Sequence, residues 1–222
     1  MNKFLRFISF FFLLLSISFN SLSDNQLDNF NSKFAKYKSD PKVRSAKAMV
    51  VNQNNGKVIY QKNAYSEASI ASLTKLMTAM VILDSKIDLK KKIKITKHDI
   101  DRLKGTGSRI PIGTLVTGYD LLKISLMSSD NRAASALSRA YPSGKKGFIK
   151  AMNIKALKLG MHNSKFADPT GLNKRNKSTA RDLVRMVEAA YQYPEIRKIT
   201  TTSQETFRIG KRKNEIGFVN TN

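Results

Sequence analysis

The chain has 222 residues, 40 Lys and Arg against 16 Asp and Glu, a formal net charge of +24 and no cysteine. Disulfides and thiolate metal clusters are excluded, and with only His98 and His162 as imidazoles a His-rich zinc site is not expected. The basic balance favours anionic surroundings.

Residues 1–23 read as a secretory signal: Lys3 and Arg6 form the basic start, residues 7–19 an apolar stretch, and Ser21-Leu22-Ser23 a small-x-small cleavage site. The apolar run is shorter than the roughly 20 residues that span a bilayer, so export to the periplasm is expected rather than retention as an anchor. With export, cell-wall polymers and anionic lipid headgroups become the expected polyanionic partners, and nucleic acid does not. The remaining residues, 24–222, suffice for one globular domain with a hydrophobic core.

Residues 24–44 are expected to be an N-terminal leader or short amphipathic helix, with Leu27, Phe30, Phe34 and Tyr37 at helical spacing. Residues 45–222 then form the main domain. Residues 46–51 and 57–61 flank Asn52-Gln53-Asn54-Asn55-Gly56, a turn-forming cluster, and predict a β-hairpin. Residues 72–83, rich in Leu, Met, Ala and Ile, predict a helix buried nearly all round and beginning at Ser72. Ile93 and Ile95 mark a short strand, and Lys104-Gly105-Thr106-Gly107 reads as a turn. Residues 117–128 predict a buried helix that delivers Ser129 at its end, followed by helices over 131–141 and 147–159 with Gly160 as C-cap. Thr179-x-x-Asp182 opens a further helix in capping-box style, with Pro194 after its end. Residues 206–209 and 215–219 predict returning strands. Strands, then helices, then strands give an α+β order.

Two short motifs carry the chemistry. In Ser72-Leu73-Thr74-Lys75, residues three apart on a helix share a face, so Lys75 can take the Ser72 hydroxyl proton when its amine is neutral. Burial and the positive end of the helix dipole both disfavour the ammonium and push it that way. Ser129-Asp130-Asn131, folded against the pair, would supply a second hydroxyl to pass a proton and an amide to hold a peptide carbonyl. S-x-x-K alone is a weak signal in a Lys-rich chain; followed by S-x-N it becomes specific, and serine acyl transfer is the chemistry expected. His162 and Asp168 could be imagined in a triad, but no G-x-S-x-G accompanies them, and they read as surface and turn residues. Asp168-Pro169-Thr170-Gly171 is read as a structural turn without chemistry.

These motifs, with Leu126-Met127-Ser128-Ser129-Asp130-Asn131-Arg132-Ala133-Ala134 and Phe166-Ala167-Asp168-Pro169-Thr170-Gly171-Leu172, resemble the low-molecular-mass penicillin-binding proteins, the serine D-alanyl-D-alanine carboxypeptidases and endopeptidases of peptidase family S11. Acidic Asp130 is most similar to the endopeptidase branch. The resemblance implies a DD-peptidase/β-lactamase-like α+β fold, an antiparallel sheet packed against a helical cluster, and no cofactor or metal. It implies Ser72 as nucleophile, Lys75 as general base, Ser129 as proton relay and Asn131 as the substrate-binding amide. Implied partners are peptidoglycan stem peptides and cross-links, with β-lactam antibiotics as covalent inhibitors. The family also carries a K-T-G or K-S-G strand after S-x-N, and no such triplet follows Asn131 here. The expectation is therefore a C-terminally truncated domain, weakly active or inactive alone. A β-lactamase-like hydrolase and a non-catalytic cell-wall-binding pseudoenzyme are the alternatives; Glu188 lacks the E-x-x-x-N setting of a class A deacylating residue.

Overall fold

A computed structural model describes residues 42–210 and 214–221. The signal sequence and the leader helix expected before residue 42 lie outside the described residues. Residues 45–222 form one compact unit.

The predicted hairpin is present, with β1 (Ala48–Val51) antiparallel to β2 (Val58–Lys62) and the Asn-rich turn between them. Gly56 takes the left-handed φ of +70° that closes this turn. A short strand β3 (Ala68–Ser69) leads into a 3-10 turn (Ala71–Leu73) and then α1 (Thr74–Asp84). The α-helix thus begins two residues after Ser72, which sits in the tighter turn at its head. Apart from Leu76 and its last residues, α1 is buried, with Met77, Met80 and Ile82 essentially removed from solvent. Each such side chain contributes about 1.5–3 kcal/mol of burial.

Four helices surround α1: α2 (Gly118–Met127), α3 (Asn131–Arg139), α4 (Gly144–Lys158) and α5 (Ala180–Tyr191). Local chemistry sets their ends. Thr117 caps α2 by accepting from Asp120 N, and Asp130 caps α3 by accepting from Ala133 N. Gly160, at φ +70°, closes α4 in the two-bond pattern of Gly160 N to Leu157 O and Met161 N to Ala156 O. Thr179 caps α5 as predicted, but only half of a capping box forms. Asp182 turns away to accept from Asn163 N and Ser164 Oγ instead of returning to the Thr179 backbone. On α3 the buried residues are Leu137 and five small ones, Ala133, Ala134, Ser135, Ala136 and Ser138, and the helix packs against α1.

Among the described residues the strands are antiparallel as expected, distributed over four two-stranded pairs. β4 (Lys92–Lys94) pairs with β5 (Leu115–Thr117), and β3 pairs with β6 (Lys177–Ser178). After α6 (Pro194–Thr201), which packs on α2, β7 (Gln204–Ile209) pairs with β8 (Asn214–Val219). Phe207 and Phe218 stack edge-to-face there, with ring centroids 5.6 Å apart. The mixed helical and antiparallel architecture is the α+β class read from the sequence. Among the described residues, no helix is long and apolar enough to cross a membrane.

Candidate active site

Ser72 Oγ accepts a hydrogen bond of 3.2 Å from Lys75 Nζ, the i,i+3 contact that the motif spacing predicts. Lys75 is 3% exposed and has two further acceptors, Asn131 Oδ1 and the Thr170 carbonyl, each at 2.8 Å. Burial drives its amine down most strongly; the charges of Asp130 and Asp168 oppose this, and the balance leaves a pKa of about 8 instead of 10.5. A lysine so placed releases a usable neutral fraction near physiological pH.

Ser72 itself is exposed on the rim of a cleft of about 570 Å³, which Lys75 and Ser129 also line. Ser129 stands between α2 and α3 with φ of +57°, a left-handed conformation uncommon for a residue bearing a Cβ. Thr221, held by its N–H to the Met127 carbonyl at 2.8 Å, borders the same cleft. Asn131, first residue of α3, lines the neighbouring cavity of about 710 Å³ while its side-chain oxygen reaches Lys75. The structure thus brings Ser72, Lys75 and Asn131 into one hydrogen-bonded group and puts Ser129 on the wall of the Ser72 cleft. Asp130 points into the protein as the α3 N-cap, so its acidity has a local structural use.

The loop at 168–171 corrects the reading of a bare turn. Asp168 is 8% exposed, not a surface residue, and is the hub of the loop. Its Oδ1 accepts from Thr170 N at 2.6 Å, Thr170 Oγ1 at 2.8 Å and Gly171 N at 2.7 Å, while Oδ2 accepts from Asn173 N at 2.6 Å. Fully buried Asn176 ties this hub to α1: it accepts from Ala167 N and Asp168 N and donates to Thr74 Oγ1 at 2.9 Å. Thr78 Oγ1 donates to the Pro169 carbonyl at 2.7 Å. These bonds aim the Thr170 carbonyl at Lys75. Sequence reasoning missed Thr170, Asp168 and Asn176 as parts of the site. The available signal was the run Phe166 to Leu172, which shared the family resemblance but was given only a turn's role.

His162 is exposed and is absent from the linings of both cavities. Among the described residues, no group of three His, Cys, Asp or Glu is placed to hold a metal ion.

A profile of the Peptidase S11 family, D-alanyl-D-alanine carboxypeptidase, matches residues 34–222. The chain belongs to this family. Among relatives, the D-alanyl-D-alanine endopeptidase of Pseudomonas aeruginosa is 45% identical over 180 residues, covering 81% of this chain and 58% of the relative. That of Escherichia coli is 44% identical over 184 residues, covering 83% and 59%. The chain therefore spans under two thirds of the length of these S11 relatives. Among solved structures, the Streptomyces K15 DD-transpeptidase superposes with a TM-score of 0.77 at 31% identity, covering 83% of this chain and 76% of the other. The S11 fold expected from the motifs is the fold found.

Proposed function

We propose that this chain carries the acylation machinery of a serine D-alanyl-D-alanine endopeptidase or carboxypeptidase acting on peptidoglycan peptides. Ser72 Oγ attacks the carbonyl carbon of the D-alanyl residue while neutral Lys75 takes the hydroxyl proton. The tetrahedral intermediate then expels the amine, the C–N bond breaks, and the proton passes from Lys75 to the leaving nitrogen with Ser129 as relay. The product is an ester on Ser72, which water hydrolyses to the free acid. Asn131 holds a backbone carbonyl of the substrate. Endopeptidase relatives support cross-links as substrate, and the basic, signal-bearing sequence supports work in the periplasm against an anionic wall or membrane surface. β-Lactams enter the same reaction as covalent inhibitors.

The single observation carrying this reading is the 3.2 Å contact between the Ser72 hydroxyl and a buried amine whose pKa lies at about 8. Labelled penicillin tests it: the purified protein forms a covalent adduct, and Ser72→Ala abolishes it. An adduct that persists in Ser72→Ala removes Ser72 from the role. A protein that takes no label supports the non-catalytic wall-binding alternative instead. The β-lactamase-like alternative has less support, because Glu188 borders a separate groove between β1 and α5.

A further inference from the structure

The turn Lys104-Gly105-Thr106-Gly107 is exposed, yet one of its side chains reaches the site. Thr106 Oγ1 lies 2.9 Å from Asn131 Nδ2 and 2.6 Å from Asp101 Oδ2. Asp101 also accepts from the backbone N–H groups of Leu103, Lys104 and Thr106, at 2.8, 3.0 and 3.0 Å. The loop is thereby wrapped around one carboxylate. Burial alone would raise the pKa of that carboxyl. The bonds from the Thr106 hydroxyl and the three N–H groups outweigh it and hold the value to about 2, so Asp101 is ionised at any working pH.

The polarity of each link follows from the one before it. An ionised carboxylate only accepts, so the single proton of the Thr106 hydroxyl must point at Asp101. The hydroxyl then offers Asn131 only a lone pair, and the amide must present its NH2 group there. Its oxygen is left facing Lys75, where an acceptor is needed at 2.8 Å. An asparagine side chain has two orientations of nearly equal shape; this chain of bonds selects one. It also occupies one of the two Nδ2–H bonds and leaves the other for a substrate carbonyl.

We propose that Asp101 and Thr106 are positioning residues that set the Asn131 amide in its one productive orientation, oxygen to Lys75 and N–H to substrate. The loop at 101–107 thereby becomes part of the acylation site, although it touches neither Ser72 nor Lys75. This inference rests on the reading of Ser72, Lys75 and Asn131 given above, and its test separates the two.

The variants are Thr106→Val, Thr106→Ser and Asp101→Asn in the full chain. Valine keeps the shape of threonine, and Asp101 retains its three backbone donors, so the fold and melting temperature are expected to stay unchanged. Two quantities are read: the rate of acylation by labelled penicillin, and the Asn131 side-chain amide resonances in an 15N–1H spectrum, assigned by their loss in Asn131→Ala. With Thr106→Val the amide pair shifts and its protons exchange faster, and acylation slows by about fivefold, the usual worth of one hydrogen bond. Thr106→Ser restores both to the unsubstituted values. Asp101→Asn shows a smaller fall in the same direction, because an amide at 101 donates as well as accepts and no longer dictates the hydroxyl proton. Amide resonances unmoved by Thr106→Val overturn the inference whatever the rate does. A moved amide with an unaltered rate overturns it too, since the orientation would then serve no step. If the unsubstituted protein takes no penicillin at all, the acylation reading fails, and the amide spectrum still decides whether Thr106 orients Asn131.

Discussion

Gly171 lies against Ala71 so closely that a Cβ added to it would stand 1.9 Å from the Ala71 carbonyl oxygen and 3.0 Å from the Ser72 nitrogen. Gly171 has φ of +88° and Ala71 has φ of +44°, so the segment just before Ser72 is held in a left-handed conformation under a glycine that fits nothing larger. Gly171→Ala should therefore displace Ser72. The expected cost is about 1–3 kcal/mol of backbone strain, before the collision is counted. A shift near 1 Å at a reacting atom is worth about 100-fold in rate. Thermal melting and penicillin acylation measured on the same preparation check both figures; unaltered acylation would mean that the Ala71–Ser72 backbone is not held by this contact.

The pH dependence of acylation follows from Lys75. With its pKa at about 8, protonation removes the neutral amine as pH falls. The rate should drop about tenfold per unit well below pH 8 and level off above it. Stopped-flow acylation from pH 5.5 to 9.5 measures this limb. A flat profile would exclude Lys75 as the group that takes the proton.

Asp168 gives that limb a second handle. Its charge raises the Lys75 pKa, so Asp168→Asn should move the midpoint below 8 and leave more neutral amine at neutral pH. An asparagine keeps one acceptor oxygen and loses the partner of Asn173 N, at a cost of about 1–3 kcal/mol in stability. The expected signature is a less stable protein whose acid limb lies at lower pH. A limb that moves upward would contradict the electrostatic assignment.

Asp99 tests the frame rather than the chemistry. Its side chain is fully buried and pairs with Arg139 Nη2 at 2.9 Å, and it also accepts from Thr96 N at 2.8 Å. Arg139→Ala leaves a buried carboxylate without its counter-charge. The expected loss is about 3 kcal/mol, at the lower end for a buried pair because Arg139 keeps about a third of its surface in water. Chemical denaturation at pH 7 measures it. A loss under about 1 kcal/mol would show that the Thr96 N–H and the Ser135 hydroxyl, which donates to Asp99 Oδ1 at 3.3 Å, satisfy Asp99 by themselves.

Much of the fold was legible in the residues because the forces that decide it are local. The apolar run after Ser72, the Asn-rich turn before Lys57, the Gly160 cap and the Thr179 cap act within a turn or two of chain, and each element formed near its expected bounds. The Ser72–Lys75 contact is of the same kind, an i,i+3 neighbour relation across the 3-10 turn and the first turn of α1. The Thr106 contact was not legible, because an exposed turn carries no pattern that tells which side chain it will meet. Asp182 shows the limit from the other side: its capping position was readable, but the Asn163 N–H and the Ser164 hydroxyl, brought to it from 19 and 18 residues away, took its carboxylate.

Sequence alone sufficed for the Ser72–Lys75 contact, since a serine and a lysine three residues apart need no distant partner to meet. Which groups surround that lysine was set by packing between distant parts of the chain. The Thr170 carbonyl comes from 95 residues away and the Asn131 amide from 56, and neither separation leaves a periodic trace in the chain. The amine's pKa depends on its full surroundings, on water excluded and on carboxylates brought near, so the lowered pKa of Lys75 exists only once the helices have packed.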